Sequence, residues 1–162
     1  MRYFVGIDNG VSGSFAVLEE NKNVLYFDKT PIKKELHWTK TKQFVNRVNH
    51  REVKKILKPF KSNNIIAVLE RPFTDPTKWK ASVSAVRAFE STCVVLEQLE
   101  IPYCIIDSRE WQKEMLPSGI KGSKELKEAS LLVGKKLFPK VKINHSDCDG
   151  LLICEWSRRK GL

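Results

Sequence analysis

Four carboxylates adjoin short apolar runs that lie far apart in this 162-residue chain. They are Asp8, Glu70, Asp147 and Asp149. A carboxylate at the end of a buried strand is costly unless a partner compensates for its lost hydration. Hard divalent cations such as Mg²⁺ prefer oxygen ligands of this kind. For a single acid, a surface cap or an ion pair is the simpler explanation, but the set as a whole predicts a metal centre that could clamp a phosphodiester for attack by water.

The remainder of the sequence is strongly basic. The chain has 29 Lys and Arg residues against 19 Asp and Glu residues, a net charge of +10. This charge favours a polyanionic partner, either DNA, RNA or an anionic membrane surface, although a basic protein without such a partner is the alternative. No apolar stretch approaches the roughly 18 residues of a membrane span, and Met1-Arg2 leads directly into a strand, which predicts no signal peptide. The four cysteines form no CxxC pair and favour a reducing cytoplasm.

The elements that must position the acids follow from hydrophobic periodicity. Strands are predicted at 2–8, 14–19, 23–29, 64–70 and 102–107. Helices are predicted from Asn49 to Pro59, at 78–100, after Ser108, at 124–138 and at 147–159. Residues 30–47 show no clear pattern. The helix at 78–100 has two apolar faces, which predicts contact with a second subunit as well as with the sheet.

Two helix starts carry capping signals. Asn49 is expected to cap its helix with Glu52 as the partner in a capping box, and Ser108 is expected to cap the short helix that buries Trp111 and Met115.

This order of elements predicts an α/β fold in one domain covering 1–162. The first three strands form an antiparallel meander, and a helical crossover returns the fourth strand beside the first. Asp8 and Glu70 then end neighbouring strands, and the start of the last helix can bring Asp149 to the same edge. The result is a mixed sheet of about five strands with helices on both faces.

Three motifs resemble those of the RuvC-like Holliday junction resolvases, within the RNase H-like superfamily. GIDNG at 6–10 resembles the opening G-[IL]-D-x-G motif, LERPF at 69–73 resembles the second acidic motif, and DGLL at 149–152 resembles the C-terminal D-[AS]-[LI] motif. The order of elements is similar to that of the superfamily as well. The small size and the basic C-terminal tail resemble the phage versions.

The resemblance implies an endodeoxyribonuclease of DNA recombination and repair, in a bacterial or phage-infected cytoplasm. Such an enzyme resolves four-way junctions and other branched DNA by paired nicks, using two-metal-ion hydrolysis. A homodimer matches the two-fold symmetry of a junction, with the helix at 78–100 as its candidate interface. The implied cofactor is a pair of Mg²⁺ ions, which Mn²⁺ could replace, held by Asp8, Glu70 and Asp149.

The fourth ligand departs from the family pattern. Family members often place an acid three or four residues before the last Asp, where this chain has Ser146 and His145. Asp147 is the preferred candidate, because a carboxylate suits hard Mg²⁺ better than imidazole. It can join Asp149 only from the cap or loop before the helix, since residues two apart on a helix face different ways. His145 is the alternative, as a ligand or as a proton carrier.

The resemblance also suggests residues that contact DNA. Phe73 lies where family members have an aromatic that wedges into the junction centre; the alternative is that it packs beneath its own loop. The expected phosphate contacts are Lys78, Lys80, Lys121 and Lys124. For each of these lysines a solvated surface position is the alternative.

Three other functions compete with junction resolution. The first is an RNA nuclease of the same superfamily, and the second is a non-catalytic nucleic-acid-binding protein. The third is half of a sugar-kinase-like or actin-like ATPase, which opens with a similar Gly-Ile-Asp-x-Gly strand. The short chain and the lack of a second phosphate loop argue against the third.

Overall fold

The computed structural model describes residues 1–37, 39–61, 64–143 and 147–162. The strands are β1 (Tyr3–Ile7), β2 (Ser14–Glu19), β3 (Val24–Lys29), β4 (Ile32–Leu36), β5 (Phe44–Val48), β6 (Ile65–Glu70) and β7 (Tyr103–Ile106). The α-helices are α1 (His50–Leu57), α2 (Trp79–Gln98), α3 (Ser108–Met115), α4 (Ser123–Leu137) and α5 (Asp149–Lys160). Short 3₁₀ turns occupy Lys58–Phe60 and Pro76–Lys78. No described helix is both long enough and apolar enough to cross a membrane.

Five strands form one mixed sheet in the order β3-β2-β1-β6-β7. β1 pairs antiparallel with β2 and parallel with β6, and Ile7 lies opposite Leu69. Because β1 and β6 are parallel neighbours, Asp8, which follows β1, and Glu70, which ends β6, reach the same edge of the sheet. The predicted mixed sheet and the predicted crossover are confirmed.

Helices cover both faces of this sheet, as predicted. Successive residues of a strand point to opposite faces. On one face, Val5 and Ile7 pack with the buried side chains of α1 and α2. On the other face, Phe4 packs with α5, and Val68 packs with α3 and α5. The two resulting cores hold the sheet rigidly between layers, which gives its edge a defined geometry.

The structure differs from the sequence prediction between β3 and α1. Residues 30–47, for which no pattern was evident, form with Val48 a two-stranded antiparallel sheet in which Ile32 pairs with Val48 and Leu36 pairs with Phe44. Apart from the buried Val48, its strands alternate between exposed and half-buried residues rather than between exposed and buried ones. The usual contrast between polar and core-facing positions is therefore weak here.

Both capping predictions were wrong. Asn49 occupies the N-cap of α1, but its side chain makes no capping hydrogen bond, so the capping box with Glu52 does not form. Asp107, rather than Ser108, caps α3. The Asp107 carboxylate accepts from Arg109 N at 2.9 Å, and Glu110 Oε1 accepts from Asp107 N at 2.8 Å, which completes a capping box one residue earlier than predicted.

Candidate metal centre

Two glycines allow the first turn of α5 to approach the central strands. A Cβ atom on Gly6 would lie 2.2 Å from the carbonyl oxygen of Gly150 and 2.3 Å from Cys154 N. A Cβ atom on Gly150 would lie 2.4 Å from the carbonyl oxygen of Ser14. Such distances are far inside van der Waals contact, so only glycine fits at either position. This close approach carries the start of α5 to the edge where β1 ends.

Three of the four predicted acids meet at this edge. Each of Asp8, Asp147 and Asp149 offers a carboxylate oxygen, and these oxygens lie within 4.8 Å of one another. Asp149 is the first residue of α5, and Asp147 lies in the segment just before it. This is the position in which Asp147 was expected to be able to join Asp149. These three residues are hereafter the acidic cluster.

Glu70 lies beside the acidic cluster and is held by α3. Its Oε2 atom accepts a hydrogen bond of 2.7 Å from the indole Nε1 of Trp111, a fully buried side chain. Burial raises the pKa of Glu70 to about 7; the Trp111 hydrogen bond opposes this rise, and the charge of Asp149 adds to it. Glu70 is thus fixed in orientation and electrostatically coupled to the cluster.

Hydroxyl groups orient the acids of the cluster. Ser14 Oγ, which is fully buried, donates to Asp147 Oδ1 and accepts from Gly150 N at 3.0 Å. On α4, Ser130 Oγ donates to Asp149 Oδ1. Such outer contacts fix the direction in which a carboxylate presents its oxygens.

Lys127 brings a positive charge to the same place. Its Nζ atom lies 3.7 Å from Asp147 Oδ2. Lys127 and Ser130 are three residues apart, so they share the face of α4 that looks toward the cluster. The sequence did not identify Ser14, Trp111, Lys127 and Ser130 as site residues. The spacing of Lys127 and Ser130 showed that they share one face of α4, but no local signal indicated that this face would point toward the acids.

The electrostatics of the cluster favour a cation. Burial raises the pKa of Asp8 well above its ordinary value, and the charges of Asp147 and Asp149 raise it further. Burial also raises the pKa of Asp149 to about 6, with the charge of Asp147 as the next cause. Crowded carboxylates repel one another, and the ion pair of Asp147 with Lys127 does not prevent the raised pKa of Asp8 and Asp149. The ligand atoms are all oxygens, so Asp8, Asp147 and Asp149, with Glu70 beside them, suit a hard divalent cation.

No protein-family model and no curated protein matches the sequence. Among solved structures, T. thermophilus RuvC in complex with a Holliday junction substrate matches with a TM-score of 0.67 and 14% identity, over 99% of this chain and 97% of that chain. The chain has the fold of RuvC. A second structure of Thermus thermophilus RuvC matches with a TM-score of 0.55 and 14% identity, over 98% of this chain and 96% of that one. The RuvC fold confirms the predicted RNase H-like fold class.

In this RuvC-like fold, the predicted aromatic side chain is displayed rather than buried. Phe73 is 78% exposed, so it does not pack beneath its own loop. The loop is nevertheless anchored at both ends. Arg71 Nε donates to Asp107 Oδ2 at 2.6 Å. Ser82 Oγ accepts from Asp75 N at 2.8 Å and donates to the carbonyl oxygen of Asp75 at 2.9 Å. Phe73 therefore projects from a braced segment directly after Glu70.

The predicted DNA-contacting lysines are exposed. Lys78 and Lys80 flank Trp79, itself 72% exposed, at the start of α2, and Lys121 and Lys124 lie in and just after the loop that precedes α4. His145, the alternative fourth ligand, lies outside the described residues.

Proposed function

We propose that this chain is a metal-dependent endonuclease that resolves Holliday junctions and other branched DNA. The observation that carries the proposal is the acidic cluster, assembled from the two ends of the chain at one edge of a RuvC-like sheet. The net charge of +10 supports a polyanionic substrate. One structural neighbour is a RuvC bound to a Holliday junction substrate, and this supports branched DNA in particular.

Asp8, Glu70, Asp147 and Asp149 are the proposed metal ligands. Two Mg²⁺ ions, or Mn²⁺ in their place, would supply Lewis-acid chemistry that activates water and stabilises the leaving oxygen. The protein's part is to aim the carboxylates. Trp111 and Ser130 hold Glu70 and Asp149, whereas Ser14 holds Asp147. Asp147 is preferred to His145 because its buried carboxylate already lies among the other acids.

Lys127 has a different role in this proposal. Its ammonium group lies 3.7 Å from Asp147 Oδ2 and its side chain is half exposed. A fixed cation at this point can offset repulsion among the acids before the substrate binds. It can also attract the negative charge of an incoming phosphate.

Branch recognition is assigned to the loop after Glu70. Phe73 is exposed and braced, so it can stack on an unpaired base with little loss of loop entropy. The lysines that would contact phosphates are Lys78, Lys80, Lys121 and Lys124. Phosphate contacts position the protein on DNA, and the aromatic side chain would select the open branch point.

A homodimer completes the proposal, because a four-way junction needs two symmetric nicks. Val86 and Val94 on α2 are 46% and 40% exposed, which supports α2 as the interface between two copies. In this proposal residues 1–162 form one nuclease domain that acts in the cytoplasm of a bacterial or phage-infected cell.

The test is cleavage of a four-way DNA junction, with Mg²⁺ and with EDTA. Asp8→Asn, Glu70→Gln and Asp149→Asn should each abolish cutting and retain junction binding, because binding comes from basic side chains that these changes leave intact. Asp147→Asn should slow cutting by orders of magnitude and His145→Ala much less; the reverse ranking would make His145 the fourth ligand. Cleavage by all three primary variants at the wild-type rate would refute the site.

Two competing functions are separated by the same assay. Preferential cutting of an RNA–DNA hybrid over the junction would identify an RNA nuclease. Junction binding without Mg²⁺-dependent cutting would identify a non-catalytic binder.

A further inference from the structure

The β4–β5 hairpin forms a separate two-stranded sheet, and its base lies next to the loop that follows Asp8. Before β4, Thr30 N donates to the carbonyl oxygen of Gly13 at 2.9 Å. After β5, Asn49 N donates to the carbonyl oxygen of Pro31 at 2.8 Å. Gly13 belongs to the loop that connects Asp8 to Ser14. The base of the hairpin is therefore tied to the loop that follows the first acid of the cluster.

The two faces of the hairpin differ in composition. The outer face carries Ile32, Lys34, Leu36, Phe44 and Asn46, which are exposed, whereas Val48 at the base of the same face is buried in the core. Leu36 and Phe44 lie directly opposite each other, and they are 58% and 65% exposed. This exposed apolar pair at the outer end of the hairpin contributes nothing to the core, so its side chains are available for contact with a partner.

Glu35, the one carboxylate within the two strands, lies on the inner face and is ion-paired there. Glu35 forms ion pairs of 2.5 Å with both Lys33 Nζ and Arg47 Nη1, and these cations lower the pKa of Glu35 to about 2. The acid is thus paired with cations on its own half-buried face. In the part of the chain that the structure describes, the outer face carries no acid.

Charge selects the kind of partner. Lys34 on the outer face and Lys40 and Lys42 at the tip are exposed. Packing this face against the same face of a second copy would bring like charges together, which is unfavourable. A polyanion has the complementary charge. A two-stranded ribbon also has the dimensions that enter a DNA groove, where apolar side chains can pack.

We propose that the outer face of the β4–β5 hairpin binds a duplex DNA arm next to the acidic cluster. Lys34, Lys40 and Lys42 contact phosphates, while Leu36 and Phe44 pack into the groove. This inference rests on the proposed nuclease function and adds to it a second DNA-binding surface, separate from the Phe73 loop. A span of five residues per strand gives the hairpin a length of about 17 Å.

The first experiment measures junction affinity against salt concentration, with Ca²⁺ replacing Mg²⁺ to suppress cutting. Lys34→Gln/Lys40→Gln should lower the magnitude of the slope of log K against log salt by about 1.8, because each phosphate contact contributes about 0.9. The control is Lys136→Gln/Lys140→Gln. These lysines flank Phe138, whose ring lies 5.0 Å from Lys22 Nζ in the β2–β3 turn, at the opposite edge of the sheet. The control should leave the slope unchanged; equal slopes in both variants would overturn the proposal.

The second experiment uses Phe44→Ala on the same junction. Affinity should fall on the order of tenfold with the salt slope retained, because the lost contact is apolar. Phe44 lies outside the core, so the thermal midpoint should stay within a few degrees of wild type. A Phe44→Ala variant that binds DNA normally but dissociates from dimer to monomer in sedimentation would overturn DNA binding and assign the face to a second copy.

The outcomes also separate this inference from the proposed function. If wild-type protein neither binds nor cuts junctions, the proposed function itself fails. If wild type cuts junctions and both hairpin variants match it in affinity and salt slope, only the hairpin proposal fails.

Discussion

Removing one charge from the acidic cluster should stabilise the metal-free protein. In the folded chain the pKa of Asp149 is raised from 3.8 to about 6, mainly by burial and then by the charge of Asp147. At neutral pH the ionised carboxylate of Asp149 therefore lowers the free energy of unfolding by about 3 kcal/mol. Asp149→Asn keeps an acceptor for Ser130 and removes the charge. We therefore expect a gain of up to about 3 kcal/mol in EDTA at neutral pH, a rise in thermal midpoint of several degrees.

The gain must depend on pH in a defined direction. Between pH 3.8 and about 6, the folded protein keeps a proton on Asp149 that the unfolded chain has released. The stability of wild type therefore falls as pH rises through this range, and the advantage of Asp149→Asn grows over it. Below about pH 4 both states are protonated, and the advantage should vanish. Above about pH 6 it should reach its plateau.

Divalent metal should reverse the order of stability. A cation that binds only the folded state stabilises wild type by mass action, and the variant lacks one ligand. The assay is urea unfolding of both proteins from pH 4 to pH 8, in EDTA and in Mg²⁺. Glu128→Gln is a suitable control, because Glu128 is an exposed acid on α4 and its loss should change stability by less than about 0.5 kcal/mol. A variant less stable than wild type in EDTA at neutral pH would refute the repulsion argument, as would a gain independent of pH.

Three further outcomes are expected. Trp111→Phe should slow single-turnover junction cleavage by roughly 10- to 100-fold, because a hydrogen bond to a charged acceptor is worth about 1.5–3 kcal/mol. The control is Trp156→Phe in the same core, which should leave the rate unchanged. Equal rates in both variants would remove Trp111 from the site. Phe73→Ala should leave the thermal midpoint unchanged and lose roughly 1–3 kcal/mol of junction affinity, with a nicked junction restoring cutting; a large drop in the midpoint would contradict the wedge role. Lys127→Met should lower the thermal midpoint more in EDTA than in Mg²⁺, because the ammonium group offsets carboxylate charge that bound metal otherwise neutralises. An equal loss of stability under both conditions would mean that Lys127 acts through packing alone.

Much of the framework was predictable because its signals are local. Strands β1, β2, β3, β6 and β7 are apolar runs bounded by turns, and their predicted positions are within two residues of those observed. Asp8 and Glu70 each follow such a run directly, so a parallel pairing of β1 with β6 was sufficient to place them at one edge. The order of the elements predicted the α/β fold class, and three motifs in order added the resemblance to the RuvC-like resolvases. Each of these inferences used neighbours in the chain or a general rule of strand connection.

The hairpin and the caps show where local signals fail. In β4 and β5 the inner face carries Lys33, Glu35 and Arg47, which are stabilised by pairing with each other, so the polar–apolar alternation of a half-buried strand is missing. At α3, both Asp107 and Ser108 are good capping residues. The choice between them depended on where β7 ends, at Ile106, rather than on capping preference.

The sequence by itself determined which residues could form a metal centre and which strands would carry two of them. Only the tertiary structure decided how the centre is assembled. The contact of Gly6 with Gly150 joins residues 144 positions apart and sets the depth of α5 against the sheet. Trp111 reaches Glu70 from α3, and Lys127 and Ser130 reach the acids from α4. These contacts depend on how whole helices rotate and pack, which follows from burying their apolar faces together rather than from any short stretch of residues.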